Sequence, residues 1–152
     1  MPLCRGKASS WRPGPEILGL PMTRILVVDD KAYIRIWIRE FLAGELDWEV
    51  CGEAENGLQA VEQAARLKPD IIILDVSMPE MNGLDAARQI LKASPGVLIL
   101  ILSLHNDRQF SESAKECGAK GFVLKSDAAI TLLPALSTLL RGELHFPEVT
   151  SN

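Results

Sequence analysis

The chain has 152 residues, 47% apolar and 24% charged, enough for one domain with its own core and an ordinary globular balance. Sixteen Lys and Arg against twenty Asp and Glu give a net charge of −4, which argues against nucleic-acid binding by this domain alone, because a phosphate backbone demands a basic face. Cys4, Cys51 and Cys117 show no C-x-x-C spacing, so neither a zinc site nor a redox pair is indicated. Reduced thiols in the cytoplasm are expected, and no apolar run reaches the roughly 18–20 residues of a membrane span.

Residues 1–21 carry Pro2, Pro13, Pro15 and Pro21 with Gly6, Gly14 and Gly19, which break any period and read as a flexible extension. From Thr23 the pattern becomes regular. Arg24-Ile-Leu-Val-Val-Asp29 is an apolar run closed by Asp29-Asp30. Ile34, Trp37, Ile38, Phe41 and Leu42 follow helical spacing, with Gly44 as the stop. Trp48 to Glu55 alternates as a short strand before the Asn56-Gly57 turn. Leu58, Val61 and Ala65 mark a second helix, ended by Lys68-Pro69. Ile71 to Leu74 is a run of four aliphatics, suited to a strand buried on both faces of a parallel sheet and closed by Asp75. After the Pro79-Glu-Met-Asn-Gly83 loop, Leu84, Ala87 and Leu91 mark a third helix. Val97 to Leu102 is another doubly buried strand, ending at Ser103. Phe110, Ala114 and Cys117 share a helix face that stops at Gly118. Gly121 to Leu124 is a fifth strand, ended by Lys125, and a last helix spans about Ala128 to Arg141.

Five strands alternating with five helices imply a parallel sheet covered on both faces by right-handed crossovers. All carboxyl ends of such strands share one edge, where open α/β sheets bind ligands. Asp29, Asp30, Asp75, Ser103 and Lys125 each lie at such an end. Three carboxylates on one edge repel one another and need a cation. Their oxygen chemistry suits Mg²⁺, which keeps several waters and takes one or two carboxylates plus a phosphate. A carboxylate nucleophile, a divalent ion and a lysine together meet the needs of phosphoryl transfer, with Asp75 yielding an acyl phosphate. Taken singly, Asp29-Asp30 and Ser103 also read as helix caps, and Lys125 as a solvated lysine.

The acidic pair in Val-Val-Asp29-Asp30, the run Ile-Leu-Asp75-Val-Ser-Met-Pro79 with Asn82-Gly83, Ser103, and Gly-Ala-Lys-Gly-Phe-Val-Leu-Lys125 resemble the receiver domains of two-component response regulators. The segments after Ser103 and Gly118 look most like the branch that precedes LuxR-type helix-turn-helix domains. The resemblance covers about Thr23 to Gly142. It implies a flavodoxin-like (βα)5 three-layer sandwich with strand order 2-1-3-4-5. The expected layout is an extension over 1–21, a receiver over 22–142 and the start of a linker over 143–152. Asp75 would accept phosphate from a sensor histidine kinase. Asp30, Asp75 and the Ser77 backbone carbonyl would bind Mg²⁺, with Asp29 acting through water. Lys125 and Ser103 would contact the phosphoryl group, and Phe122 would follow the movement of Ser103, although Phe122 also reads as a plain core residue. The surface of the fourth helix, fifth strand and fifth helix would change, controlling transcription through a DNA-binding domain absent from these residues. Such a half would add about 60 or more residues.

Several positions depart from the family pattern. Leu104 stands where many members carry a smaller residue and narrows access to Asp75. Ser77 and His105 lie where the family tunes hydrolytic water, and His105 also reads as a solvated loop residue. Ser126 stands where many receivers have proline, so no cis peptide is implied. Pro134 predicts a kink unless it falls in the first turn of its helix. Leu133, Leu136 and Leu140 form one stripe on that helix and Leu132, Ala135 and Leu139 a second, which points either to a homodimer or docking surface or to a wider core stripe. The alternatives are a stand-alone or degenerate receiver acting by protein binding, a haloacid-dehalogenase-like phosphatase, which normally has a second Asp where this chain has Ser77, and a flavin binder, whose phosphate Asp29-Asp30 would repel.

Overall fold

The computed structural model describes residues 22–104 and 108–146. The extension over 1–21, the residues 147–152 and His105 lie outside the described residues. Among these, five strands form one parallel sheet: β1 (Thr23–Val28), β2 (Trp48–Ala54), β3 (Ile71–Asp75), β4 (Leu98–Ser103) and β5 (Gly121–Leu124). The helices are α1 (Ala32–Leu42), α2 (Gly57–Leu67), α3 (Gly83–Ala93), α4 (Arg108–Glu116) and α5 (Ala128–Leu140), the last preceded by a 3₁₀ turn over Lys125–Asp127. The strand order is β2-β1-β3-β4-β5, as the resemblance implies.

Strand alternation divides the core into two layers. Leu26, Val28, Ile72, Leu74, Ile99, Ile101 and Phe122 pack with residues of α2, α3 and α4. Ile25, Val27, Ile71, Ile73, Leu100, Leu102 and Val123 pack with α1 and α5. Every residue of β3 is buried, as its unbroken apolar run requires.

Two helix faces agree with the expected ones only in part: Val61 of α2 and Leu84, Ala87 and Leu91 of α3 pack on the core, but smaller residues hold the centre of each face. On α2 the buried residues are Gly57, Ala60 and Ala64, while Leu58 is half exposed and Ala65 exposed. On α3 they are Gly83, Ala86, Ala87 and Ile90, with Leu84 and Leu91 at the margin. Small side chains let these two neighbouring helices approach each other and the sheet, with Ile90 the large side chain buried among them. Asn56 and Asn82 cap the two helices, their side chains accepting from the backbone N–H of Gln59 at 2.8 Å and Asp85 at 2.9 Å. Gly83 is required by packing. A Cβ there would fall on the Asp75 carbonyl oxygen and 3.0 Å from Val76 Cα. Gly83→Ala is expected to push the β3–α3 loop outward and destabilise the protein by about 1–3 kcal/mol, measured by urea unfolding. Wild-type stability in this variant would contradict the packing.

On α5, Leu132, Ala135, Leu136 and Leu139 are buried, so Leu136 belongs to the core stripe and only Leu133 and Leu140 of the other stripe remain partly open. The expected alternative, a wider core stripe, accounts for Leu136. Pro134 lies inside α5, not in its first turn. Pro134 is exposed, and so is Ile130, whose carbonyl loses its helical partner to the proline. Beyond Gly142 the chain returns along β5. His145 N donates to Lys120 O at 3.0 Å and Phe122 N donates to His145 O at 2.8 Å. Phe146 packs against the first core layer, with Lys115 Nζ 5.1 Å from its ring centroid. This short parallel pairing covers part of the open edge of β5.

Candidate functional site

The register of the sheet brings the acidic residues together. Val28 pairs with Leu74, so the next residues, Asp29 and Asp75, end neighbouring strands at the same level. Neighbouring strands lie about 4.8 Å apart. Asp75 pairs with Leu102, and Ser103 pairs with Leu124, directly before Lys125. Between β1 and β3 the strand order reverses, which opens the crevice where sheets of this kind bind ligands. Five scattered side chains thus reach one rim.

Asp29, Asp30 and Asp75 each present a carboxylate oxygen within 4.8 Å of the others. Asp29 and Asp75 are buried, while Asp30 is exposed. Lys125 Nζ lies 2.8 Å from Asp29 Oδ2 and 3.2 Å from Asp75 Oδ1, with its side chain only 8% exposed. The contact with Asp29 Oδ2 is an ion pair without the alignment of a directed hydrogen bond, and Asp75 Oδ2 has no hydrogen-bond partner among the described residues. An orphaned buried carboxylate oxygen next to two further carboxylates is a donor set that fits a hard divalent cation.

The electrostatics follow from burial. Removal from water, then the neighbouring Asp29 charge, push the Asp75 carboxyl up to about 6 from its ordinary 3.8, against the opposing pull of Lys125. Burial alone would lower the Lys125 ammonium, but the carboxylates of Asp29 and Asp75 outweigh it and hold the group above its ordinary range. Lys125 is therefore a fixed cation, and it compensates the Asp75 charge only in part. Lys125 is the one buried cation facing these three acids, Asp30 being met from the surface by Lys31.

The other expected residues are placed as follows. Ser103 is buried at the end of β4, and Leu104 beyond it is 68% exposed on the rim. Ser77 is exposed, two residues past Asp75 in the β3–α3 loop. Phe122 is buried in the layer that contains Ala114 of α4 and Cys117 just after it. No peptide is cis among the described residues. A groove of about 820 Å³ lined by Met22, Pro69, Asp70 and Val97 lies at the opposite edge of the sheet, away from the carboxylates.

Three neighbours of the acidic pair were not singled out by the sequence. Lys31 N donates to Asp29 Oδ1 at 2.9 Å, and Lys31 Nζ lies 3.3 Å from Asp30 Oδ1. Arg35 Nη1 donates to the Asp29 carbonyl at 2.6 Å and Arg35 Nε to Glu53 Oε1 at 3.0 Å. The available signal was position alone: Lys31 follows the pair directly, Arg35 lies one helical turn further on, and Glu53 lies near the carboxyl end of β2.

The comparisons with known proteins bear on the chain as a whole. The family model described as the response regulator receiver domain matches residues 25–137. The transcriptional regulatory protein DegU of Brevibacillus brevis is 34% identical over 85% of this chain and 55% of its own length. The chemotaxis protein CheY of Thermotoga maritima is 39% identical over 75% of this chain and 94% of its own. The crystal structure of a LuxR-family two-component response regulator from Aurantimonas sp. SI85-9A1 superposes with a TM-score of 0.79 at 30% identity, covering 82% of this chain and 89% of that one. The chain spans 55–60% of the length of the first regulators it matches. The sheet order, the acidic rim and a family match over most of the chain agree, and the chain belongs to the family of response regulator receiver domains.

Proposed function

We propose that this receiver is switched by a phosphoryl group taken onto Asp75 from a phosphohistidine of a sensor histidine kinase, with Mg²⁺ as the resident cation. One observation carries the reading: the buried Asp75 carboxylate keeps one oxygen without a partner beside two acids and a fixed lysine. In the transfer, an Asp75 oxygen bonds to phosphorus as the phosphorus–nitrogen bond to the donor imidazole breaks. Asp30, Asp75 and the Ser77 carbonyl would hold Mg²⁺, and Asp29 would act through water. When bound, the ion would supply charge neutralisation for the transfer. Lys125, already in the pocket, clamps a phosphoryl oxygen, and the Ser103 hydroxyl hydrogen-bonds another. Ser77, Leu104 and His105 tune the approach of water.

Phosphorylation adds about −1.5 to −2 charge and three acceptor oxygens. Drawing Ser103 and Lys125 toward them moves the ends of β4 and β5, and Phe122 follows within the layer it shares with α4. The surface of α4, β5 and α5, which also carries His145 and Phe146, is the output face. Phosphate biases an existing two-state equilibrium through its differential affinity for the two states. Transcriptional control through a DNA-binding half beyond these residues is the output we favour, supported by the longer regulators among the relatives; pairing of two receivers through this face would be part of it. Action as a stand-alone receiver is the second reading, supported by the near-complete match to the length of CheY. Family membership argues against the phosphatase and flavin readings. No helix among the described residues is long and apolar enough to cross a membrane, and we place the protein in the cytoplasm.

The test is incubation with Mg²⁺ and a small phosphodonor. Acid-stable, base-labile label on the intact chain is expected, lost in Asp75→Ala. Label retained in that variant, or steady turnover of a phosphomonoester, would overturn the proposal.

A further inference from the structure

We propose that Arg35 is a positioning residue for the acidic pair: it holds the Asp29–Asp30 peptide so that the Asp30 carboxylate faces the cation. This inference rests on the metal reading above and assigns a role to a residue outside the ligand set.

The guanidinium sits on α1 with its side chain only 14% exposed. One nitrogen donates to the Asp29 carbonyl at 2.6 Å and another to Glu53 at 3.0 Å. Glu53 is held from its other oxygen by Arg39. A planar fork can serve two acceptors in fixed directions, which an ammonium cannot. The rest of Asp29 is already tied down: its N–H donates to Ala54 O at 3.1 Å and its Oδ1 accepts from Lys31 N. The Asp30 carboxylate, by contrast, is exposed and met by the flexible Lys31 ammonium. Its direction therefore depends on the peptide that Arg35 fixes. The chain Arg39–Glu53–Arg35–Asp29 links α1 and β2 to the metal rim.

The proposal has a sign that plain electrostatics does not share. Removing a cation near a metal site should tighten metal binding if charge alone matters. Arg35 is paired with Glu53 and aimed at a carbonyl, so its loss removes orientation more than repulsion. Lys31 pairs with the Asp30 carboxylate itself and must be displaced, so its loss should tighten binding. The two flanking cations act in opposite directions.

Calorimetric titration of the full chain with Mg²⁺ tests this. Arg35→Ala is expected to weaken binding by about 10- to 100-fold, the range seen when partners of metal ligands are removed. Arg35→Lys should fall between it and wild type. Lys31→Ala should bind up to about 5-fold more tightly, the scale of a surface ion pair. Metal-free thermal unfolding reports damage to the fold separately: a purely structural role lowers the transition temperature and leaves Mg²⁺ affinity well below it unchanged, which would overturn the proposal. Arg35→Ala binding Mg²⁺ as well as wild type, or better, overturns it too. If Arg35→Ala does not fold, Glu53→Gln carries the test, with weaker binding expected and unchanged binding contradicting it. A wild-type chain with no measurable Mg²⁺ affinity overturns the metal reading itself, and this proposal with it.

Discussion

Replacing Lys125 with alanine is expected to destabilise the metal-free protein by about 3–5 kcal/mol, because it leaves buried carboxylates without their counter-charge. The lysine lies within ion-pair distance of both Asp29 and Asp75, and all three side chains are nearly inaccessible. Without it, Asp75 loses the one attraction that opposes burial and the Asp29 charge. Its carboxyl then rises further and takes up a proton at higher pH, which relieves the strain in acid. The defect should accordingly be larger at pH 8 than at pH 5. Mg²⁺ should restore much of the loss at pH 8 by supplying the missing positive charge. Urea unfolding at both pH values, with and without Mg²⁺, checks this. A variant as stable as wild type at pH 8 without metal would mean that the carboxylates are not buried together.

Asp75→Asn should do the opposite and stabilise the metal-free protein above pH 6. The Asp75 carboxyl is raised in the folded chain to about 6 from 3.8. A raised acid is bound to its proton more tightly when folded, so its stability contribution is complete below 3.8 and is lost as pH rises through about 6. The full penalty is on the order of 3 kcal/mol. The amide removes the charge and also gives up the ionic pull of Lys125, so a gain of about 1–3 kcal/mol is expected at pH 7, or several degrees in Tm. Near pH 4 the gain should disappear. Added Mg²⁺ should stabilise wild type by binding linkage and leave the variant nearly unchanged. A gain independent of pH between 4 and 7 would assign the effect to something other than the Asp75 charge.

The strands were legible because four of the five are apolar on both faces, and such runs need no partner information to be recognised. From them the carboxyl-end rule brought Asp29, Asp30, Asp75, Ser103 and Lys125 to one rim, and the structure has all five there. The inward faces of α2 and α3 were legible only in part: Val61, Leu84, Ala87 and Leu91 pack on the core, but Leu58 and Ala65 face outward. Leu58 is more apolar than Ala60, but closely approaching helices select the smaller residue, a fact about spacing that a hydrophobic pattern does not contain. The Arg35–Glu53 link was hidden because it joins a helix to a strand that the sequence separates by a turn. The pairing of His145 with β5 was hidden because one residue has no period. Neither the level of Asp75's carboxyl nor the fixed charge of Lys125 is a property of either residue alone; both come from the register that sets them side by side.

The most direct measurement is a crystal structure of the protein with Mg²⁺ and beryllofluoride, a phosphoryl mimic that requires a carboxylate and a neighbouring cation. Beryllofluoride bonded to an Asp75 oxygen, the ion on Asp30 and Asp75, and Lys125 turned onto a fluorine are expected. An ion held elsewhere, or an Asp75 left bare while Lys125 keeps its contact with Asp29, would contradict the account.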